Sequence, residues 1–155
     1  MIPSIDDRLA SVVRALSDII LPALPPEAGL AIEQTHLAIG QLQIICAQLP
    51  AAAAHEQEEA DDARTLALKL LEDGDGGPRT KAALAGLGKA AELKSGARET
   101  RVAIHEASDG LVRQVATDGD SHFRAAIGGI IVQHQQARTM KDRKWFTAMG
   151  FDAGM

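Results

Sequence analysis

Apolar residues recur every seven positions between Leu30 and Leu49, a spacing that predicts a helix with two apolar sides. Two interlocked ladders share one continuous helical face: Ile32, Ile39 and Cys46 form the first, and Thr35, Leu42 and Leu49 form the second. At 100° per residue, a third ladder of Leu30, Leu37 and Ile44 projects about 160° from the first ladder and about 140° from the second. Because both apolar sides need neighbours, we expect this helix to lie buried near the centre of an all-α bundle.

The same helical spacing predicts one helix before this segment and another after it. Ser4 and Asp7 resemble a capping box that starts helix one, with Asp in the place of the usual Glu or Gln. The dipeptide Pro25-Pro26 ends helix one and begins helix two. Pro50 then opens a third helix over about 51–72, which has a weaker apolar stripe.

The second half of the chain keeps one helical phase for more than thirty residues. After a loop of helix breakers at 73–78, ten apolar or small positions from Ala83 to Val115 follow this phase. They predict one long helix over about 79–117, with a kink at Gly96. A last helix follows residues 118–121. We therefore expect a single domain, residues 1–155, built as an up-down bundle of about five helices.

Composition agrees with close packing between helices. No aromatic residue occurs before Phe123 and the chain has no tyrosine, so most of it must pack with Leu, Ile, Val and Ala. The only cysteine, Cys46, excludes an internal disulfide. Since it lies on an apolar ladder, we interpret it as a small buried hydrophobe rather than a reactive thiol.

Charge bears on partners and on helix pairing. A net charge of −5 gives no general attraction to nucleic acid or anionic lipid. The first residues lack the basic region of a signal peptide, and Asp and Arg interrupt the apolar positions that follow them, so we expect a cytoplasmic protein with no membrane partner. Residues 51–76 hold eight acidic and two basic side chains, and residues 79–101 hold six basic and two acidic ones. These two segments are expected to pair antiparallel.

Glu33 and His36 form a Glu-x-x-His pair on helix two, which is the spacing that di-iron carboxylate bundles use for two ligands of one metal ion. A complete site needs a second such pair, and no other histidine has a carboxylate three residues before it. We therefore predict no cofactor and less than one transition metal ion per chain, with Glu33 and His36 as the candidate metal ligands.

An acidic run follows His55 and offers a second candidate cation site. The run contains Glu56, Glu58, Glu59, Asp61 and Asp62. Such a run could collect a hard cation, but it is more often a solvated face near a helix N-terminus, where negative charge is favourable. We interpret it as that solvated face.

Two histidines are the candidate catalytic residues. His134 replaces an apolar side chain on the inner face of the last helix, and His105 lies beside the inner stripe of the predicted long helix. The two could meet in the bundle, either as structural imidazoles or as acid–base groups in a pocket between helices. The chain has no recognisable nucleophile, phosphate-loop or dinucleotide motif.

These patterns favour a non-catalytic bundle that acts by association as a homodimer. An accessory role to another protein is a further option. The predicted interface is the stripe of Leu30, Leu37 and Ile44, because the acidic, Ala-rich third helix offers little to cover it. The alternatives are a small enzyme or ligand-binding protein that uses His105 and His134, and a ferritin-like metal-binding bundle. Intramolecular cover of the stripe, by the long helix or by Trp145 and Phe146, is the competing explanation.

Overall fold

The computed structural model describes residues 2–147, and 87% of them are helical. They form five helical segments: α1 (5–23), α2 (Gly29–Asp73), α3 (Pro78–Ala91), α4 (Ala97–Asp118) and α5 (Ser121–Thr147). The part of the chain that is described contains no strand, although Gly76 and Gly119 form an isolated β-bridge. The prediction of an all-α fold with about five helices is confirmed.

Contacts divide the chain into two compact units, Met1–Ala53 and Ala54–Met155. Each is described by itself below. The expectation of a single domain stays a prediction.

The first unit is a helical hairpin. Its α1 begins with the capping box predicted at Ser4, whose Oγ accepts a hydrogen bond from Asp7 N at 3.1 Å, while Ser4 N donates to Asp7 Oδ2 at 3.2 Å. A π-helical turn occupies Ala15–Ile20, and α1 ends at Ala23 before the Pro25-Pro26 dipeptide.

The expectation that the helix at 30–49 is buried at the centre of a bundle is wrong for the chain as described. No residue of Gly29–Gln48 is buried. The two interlocked ladders are half-buried, whereas Leu30 is 72% exposed and Leu37 is 55% exposed. Helix α1 covers one apolar side, and among residues 2–53 no second helix covers the other. The predicted boundary at Pro50 is present as a 3-10 turn at Leu49–Ala51, which separates Gly29–Gln48 from Ala52–Asp73 within the continuous segment α2.

The second unit contains the hydrophobic core. Its largest fully buried side chain is Phe123 at the start of α5, and the C-terminal part of α2 together with α3 and α4 completes the core. The other buried apolar residues are Ala60, Ala63, Leu66, Ala67, Leu70, Leu87, Ile104, Leu111, Val115, Ile127 and Ile130. Aliphatic residues and alanine therefore supply most of this core, and Phe123 is its one aromatic member among the described residues.

The predicted long helix over 79–117 is wrong, because the chain turns at residues 92–96 and forms two helices, α3 and α4. Gly96 starts α4, and its backbone N–H donates to Glu99 Oε2 at 3.2 Å. The two helices pack closely against each other. Their apolar positions keep one phase because both inner faces contribute to the same core.

Candidate functional site

Polar side chains from α2, α4 and α5 gather at one place in the second unit, and Arg138 lies among them. Its side chain is only 11% exposed. The guanidinium Nη2 lies 2.6 Å from Asp142 Oδ1 and 3.4 Å from Glu59 Oε1, and Nη1 lies 3.2 Å from Asp62 Oδ2. Arg138 thus joins α5 to α2 through three carboxylates, which an arginine fork can contact at once.

Lys141 lies one helical turn further along α5 and adds a second cation. Its Nζ contacts Asp62 Oδ1 at 2.8 Å and Glu58 Oε1 at 2.9 Å. Partial burial raises the pKa of Asp62, but hydrogen bonds from Lys141 and Arg138 outweigh this effect and hold that pKa below its ordinary value. Asp62 is therefore an ionised anchor between the two helices at neutral pH.

His55 completes this side of the cluster. Its imidazole stacks on the indole of Trp145, with ring centroids 4.0 Å apart and an interplanar angle of 7°. Arg138 Nη2 also lies 3.2 Å from His55 Nε2. Since a guanidinium only donates, Nε2 is the acceptor in this contact. His55 is thereby fixed between a cation and an aromatic ring.

A polar pocket of about 180 Å³ opens beside the cluster. Its lining combines Glu59, Asp62, Arg101, His105, His134, Gln135, Arg138 and Asp142. Partial burial, together with the charges of neighbouring His105, Arg138 and Lys141, lowers the pKa of His134, and the opposing attraction of Asp62 does not compensate. His134 is therefore a neutral imidazole at neutral pH.

The structure brings together some of the predicted site residues and separates others. His105 and His134, the candidate catalytic pair, line the same pocket, and their chemical role stays a prediction. Glu33 and His36 lie in the first unit, and both are exposed. Among the described residues, the group of three potential ligands with converging atoms is instead His55, Glu59 and Asp142.

The interpretation of the acidic run as a solvated face is wrong for part of it, because Glu58, Glu59 and Asp62 face the basic residues of α5. The predicted pairing of 51–76 with 79–101 does occur in two contacts, Arg101–Glu59 at 3.5 Å and Lys81–Asp75 at 3.7 Å. The least exposed ion pairs of the acidic run are nevertheless those with Arg138 of α5. The spacing of Arg138 and Lys141, three residues apart on one helical face, was the available signal.

The predicted interface residues lie in the first unit. Leu30 and Leu37 are exposed and Ile44 is half-buried.

By length and composition alone, the helical segment Gly29–Asp73 is apolar enough to cross a membrane. Its best window has a mean hydropathy of 1.4, and none of that window is buried. This observation is weak, because core helices and signal sequences pass the same test.

No protein-family model, curated protein or solved structure matches this chain.

Proposed function

We propose that this protein acts by association, and that two copies dimerise through the N-terminal hairpin, with the Leu30, Leu37 and Ile44 faces in contact. One observation carries the proposal. Residues 2–53 include eight isoleucines, eight leucines and two valines, yet none of these residues is buried. A hairpin of two helices that buries nothing completely has little to stabilise it, because helices in proteins depend mainly on tertiary packing.

The exposed apolar residues of the hairpin are regularly spaced. Leu30 and Leu37 are seven residues apart on α2, and Ile5, Val12 and Ile19, all exposed, show the same interval on α1. Seven-residue spacing is typical of helices that pack against other helices, since it keeps one stripe in contact with a partner over several turns. A lipid-facing surface has no need of such spacing.

A second copy fits the polar residues beside the stripe. Gln34 and Gln41 are exposed and follow Leu30 and Leu37 by one helical turn. An amide both donates and accepts hydrogen bonds, so it can pair with the same residue type across a two-fold axis, whereas in lipid it would lack partners. These glutamines favour a second copy over a membrane.

The size of the stripe suits a small isologous interface. From Leu30 to Ile44 it spans 14 residues, about 21 Å at helical rise. Burial of each leucine contributes roughly 2 kcal/mol, and a two-fold axis doubles each contribution. Two hairpins joined in this way form a four-helix arrangement, in which the third ladder gains the neighbour that it lacks in one chain.

Light scattering on Leu37→Glu tests the proposal. The matched control is Leu68→Glu, because Leu68 is 63% exposed on the part of α2 that belongs to the second unit. We expect wild type and Leu68→Glu to be dimers and Leu37→Glu to be a helical monomer, since two buried carboxylates at the axis oppose association. A monomeric wild type, or a dimeric Leu37→Glu, contradicts the proposal. Recovery of wild type only with detergent or vesicles supports the membrane alternative instead.

A second candidate function is ligand binding in the pocket that His105 and His134 share. The observation in its favour is that the two histidines and two arginines line one polar cavity of about 180 Å³. A neutral His134 next to an ionised Asp62 provides both a hydrogen-bond acceptor and a charge for a small polar molecule. A small molecule that binds this pocket should raise the thermal stability of wild type but not of His134→Asn. If His134→Asn remains a dimer, this result separates ligand binding from association.

A further inference from the structure

Three potential ligand atoms converge beside the pocket of the second unit. His55 and Glu59 are four residues apart on α2, so they project from the same helical face, and Asp142 reaches them from α5. One ligand atom from each of the three lies within 4.8 Å of the other two. The set combines an imidazole with two carboxylates and is drawn from two helices.

A positive charge already occupies the point where these atoms converge. Arg138 Nη2 lies 2.6 Å from Asp142 Oδ1, 3.2 Å from His55 Nε2 and 3.4 Å from Glu59 Oε1. The three residues are thus arranged around a cation, and the imidazole presents its lone pair to it. If Nη2 were displaced, Arg138 would keep Asp62 as a partner through Nη1 at 3.2 Å.

The adjacent pocket supplies access and further donors. Glu59 and Asp142 line this pocket together with His105 and His134. Its volume of about 180 Å³ admits a metal ion with several water molecules. A salt bridge that only joins two helices needs neither an entry path nor additional imidazoles. Both features are expected of a metal site.

We propose that this cluster binds a divalent transition metal ion, with His55, Glu59 and Asp142 as ligands and Arg138 Nη2 displaced toward Asp62. A mixed imidazole and carboxylate set suits Zn²⁺, Ni²⁺ or Cu²⁺, whereas Mg²⁺ and Ca²⁺ prefer oxygen ligands alone. The ligand atoms must draw closer to reach metal–ligand distances of about 2.0–2.2 Å. The site differs from the Glu33 and His36 pair that the sequence suggested, and it does not depend on dimerisation.

The tryptophan beside the site provides a direct readout. Trp145 is the only tryptophan, and the chain has no tyrosine. Phenylalanine emits weakly and at shorter wavelength, so fluorescence above about 320 nm comes from this one indole. That indole stacks on His55 at 4.0 Å. A Ni²⁺ or Cu²⁺ ion bound to His55 is close enough to quench its fluorescence strongly.

Titration of metal-free wild type with NiCl₂ alone, in a non-chelating buffer at pH 7.5, tests the proposal. We expect saturable quenching at one ion per chain, and affinities weakened by about tenfold or more in Glu59→Gln and Asp142→Asn, which keep the ring stack. His36→Ala is the matched control and should bind as wild type does. Zn²⁺ should also raise the melting temperature of wild type. This second measurement does not depend on whether any variant folds.

Two results would overturn the metal site. The first is the absence of saturable quenching and of thermal stabilisation at millimolar metal. The second is an affinity that stays the same in Glu59→Gln and Asp142→Asn, or that falls in His36→Ala instead, because binding would then be elsewhere on the chain.

Discussion

Thr80 and Asp118 are joined by two hydrogen bonds to a single carboxylate oxygen. Oδ1 of Asp118 accepts from the Thr80 hydroxyl at 2.6 Å and from its backbone N–H at 2.9 Å, and Oδ2 accepts from Arg79 N at 2.9 Å. Asp118 ends α4 but caps the N-terminus of α3, where the backbone N–H groups have no helical partner. This contact joins the first turn of α3 to the last residue of α4.

Removal of this cap should destabilise the second unit. In Asp118→Ala the first-turn N–H groups of α3 and the buried Thr80 hydroxyl lose their acceptor, so we expect a lower midpoint of thermal unfolding by circular dichroism. Asp109→Ala, an exposed aspartate of α4, is the control and should change the midpoint little.

The same contact predicts a pH dependence. The Thr80 hydroxyl, followed by the backbone N–H groups of Arg79 and Thr80, holds the pKa of Asp118 below its ordinary value of 3.8. The stabilisation is therefore present above pH 3.8 and is lost as the pH falls through the lowered pKa. Wild type and Asp118→Ala should differ in stability at pH 7 and converge in strong acid. A difference that persists there would point to packing rather than ionisation.

Arg138 should contribute more to stability than an exposed arginine. Arg138→Met leaves Glu59, Asp62 and Asp142 close together without the guanidinium, and we expect a loss of about 2 kcal/mol, less than for a fully buried pair because the carboxylates are partly solvated. Arg113→Met on the exposed face of α4 should cost less than about 0.5 kcal/mol. Urea denaturation measures both, and equal effects would show that the cluster does not hold α5 to α2.

His134 should make stability fall in mild acid. Burial lowers its pKa from the ordinary value of 6.5, so the unfolded chain takes up the proton more readily, and stability declines as the pH falls from 6.5 through the folded-state pKa. With EDTA present, the free energy of unfolding should drop less between pH 7.5 and pH 5 in His134→Asn than in wild type. The exposed His122→Asn should keep the wild-type slope, and an unchanged slope in His134→Asn would refute the argument.

Local periodicity predicted which residues are helical but not where the chain turns. The apolar stripe from Ala83 to Val115 keeps its phase across residues 92–96, and one straight helix or two packed helices place that stripe on an inner face equally well. The turn is marked only by the short cap at Gly96 and Glu99. Pro50, by contrast, does mark a change in the helix, because a 3-10 turn at Leu49–Ala51 separates Gly29–Gln48 from Ala52–Asp73.

The spacing of apolar residues at 30–49 could not predict whether this helix is buried within one chain. Two apolar sides require two neighbours, but the sequence does not say whether the second neighbour belongs to the same chain. In the site, the sequence predicted that His105 and His134 lie on or near an inward face. Both line the pocket, where His134 is half-buried and His105 is exposed. The cluster around Arg138 was missed because the acidic run and the basic residues of α5 are about 80 residues apart, and each looks solvated by itself.

Cross-linking at position 37 is a direct test of dimerisation through the N-terminal hairpin. Leu37 is the middle residue of the stripe, so a two-fold contact through this face brings both copies of position 37 near the axis, within reach of a disulfide with Cβ atoms about 3.5–4.5 Å apart. Replacing Cys46, the only native cysteine, by serine leaves position 37 as the sole thiol in Leu37→Cys. Under mild oxidation we predict a covalent dimer for Leu37→Cys and a monomer for Leu68→Cys in the same background, although position 68 is also exposed. A Leu37→Cys chain that stays monomeric, or that cross-links no faster than Leu68→Cys, would contradict the account.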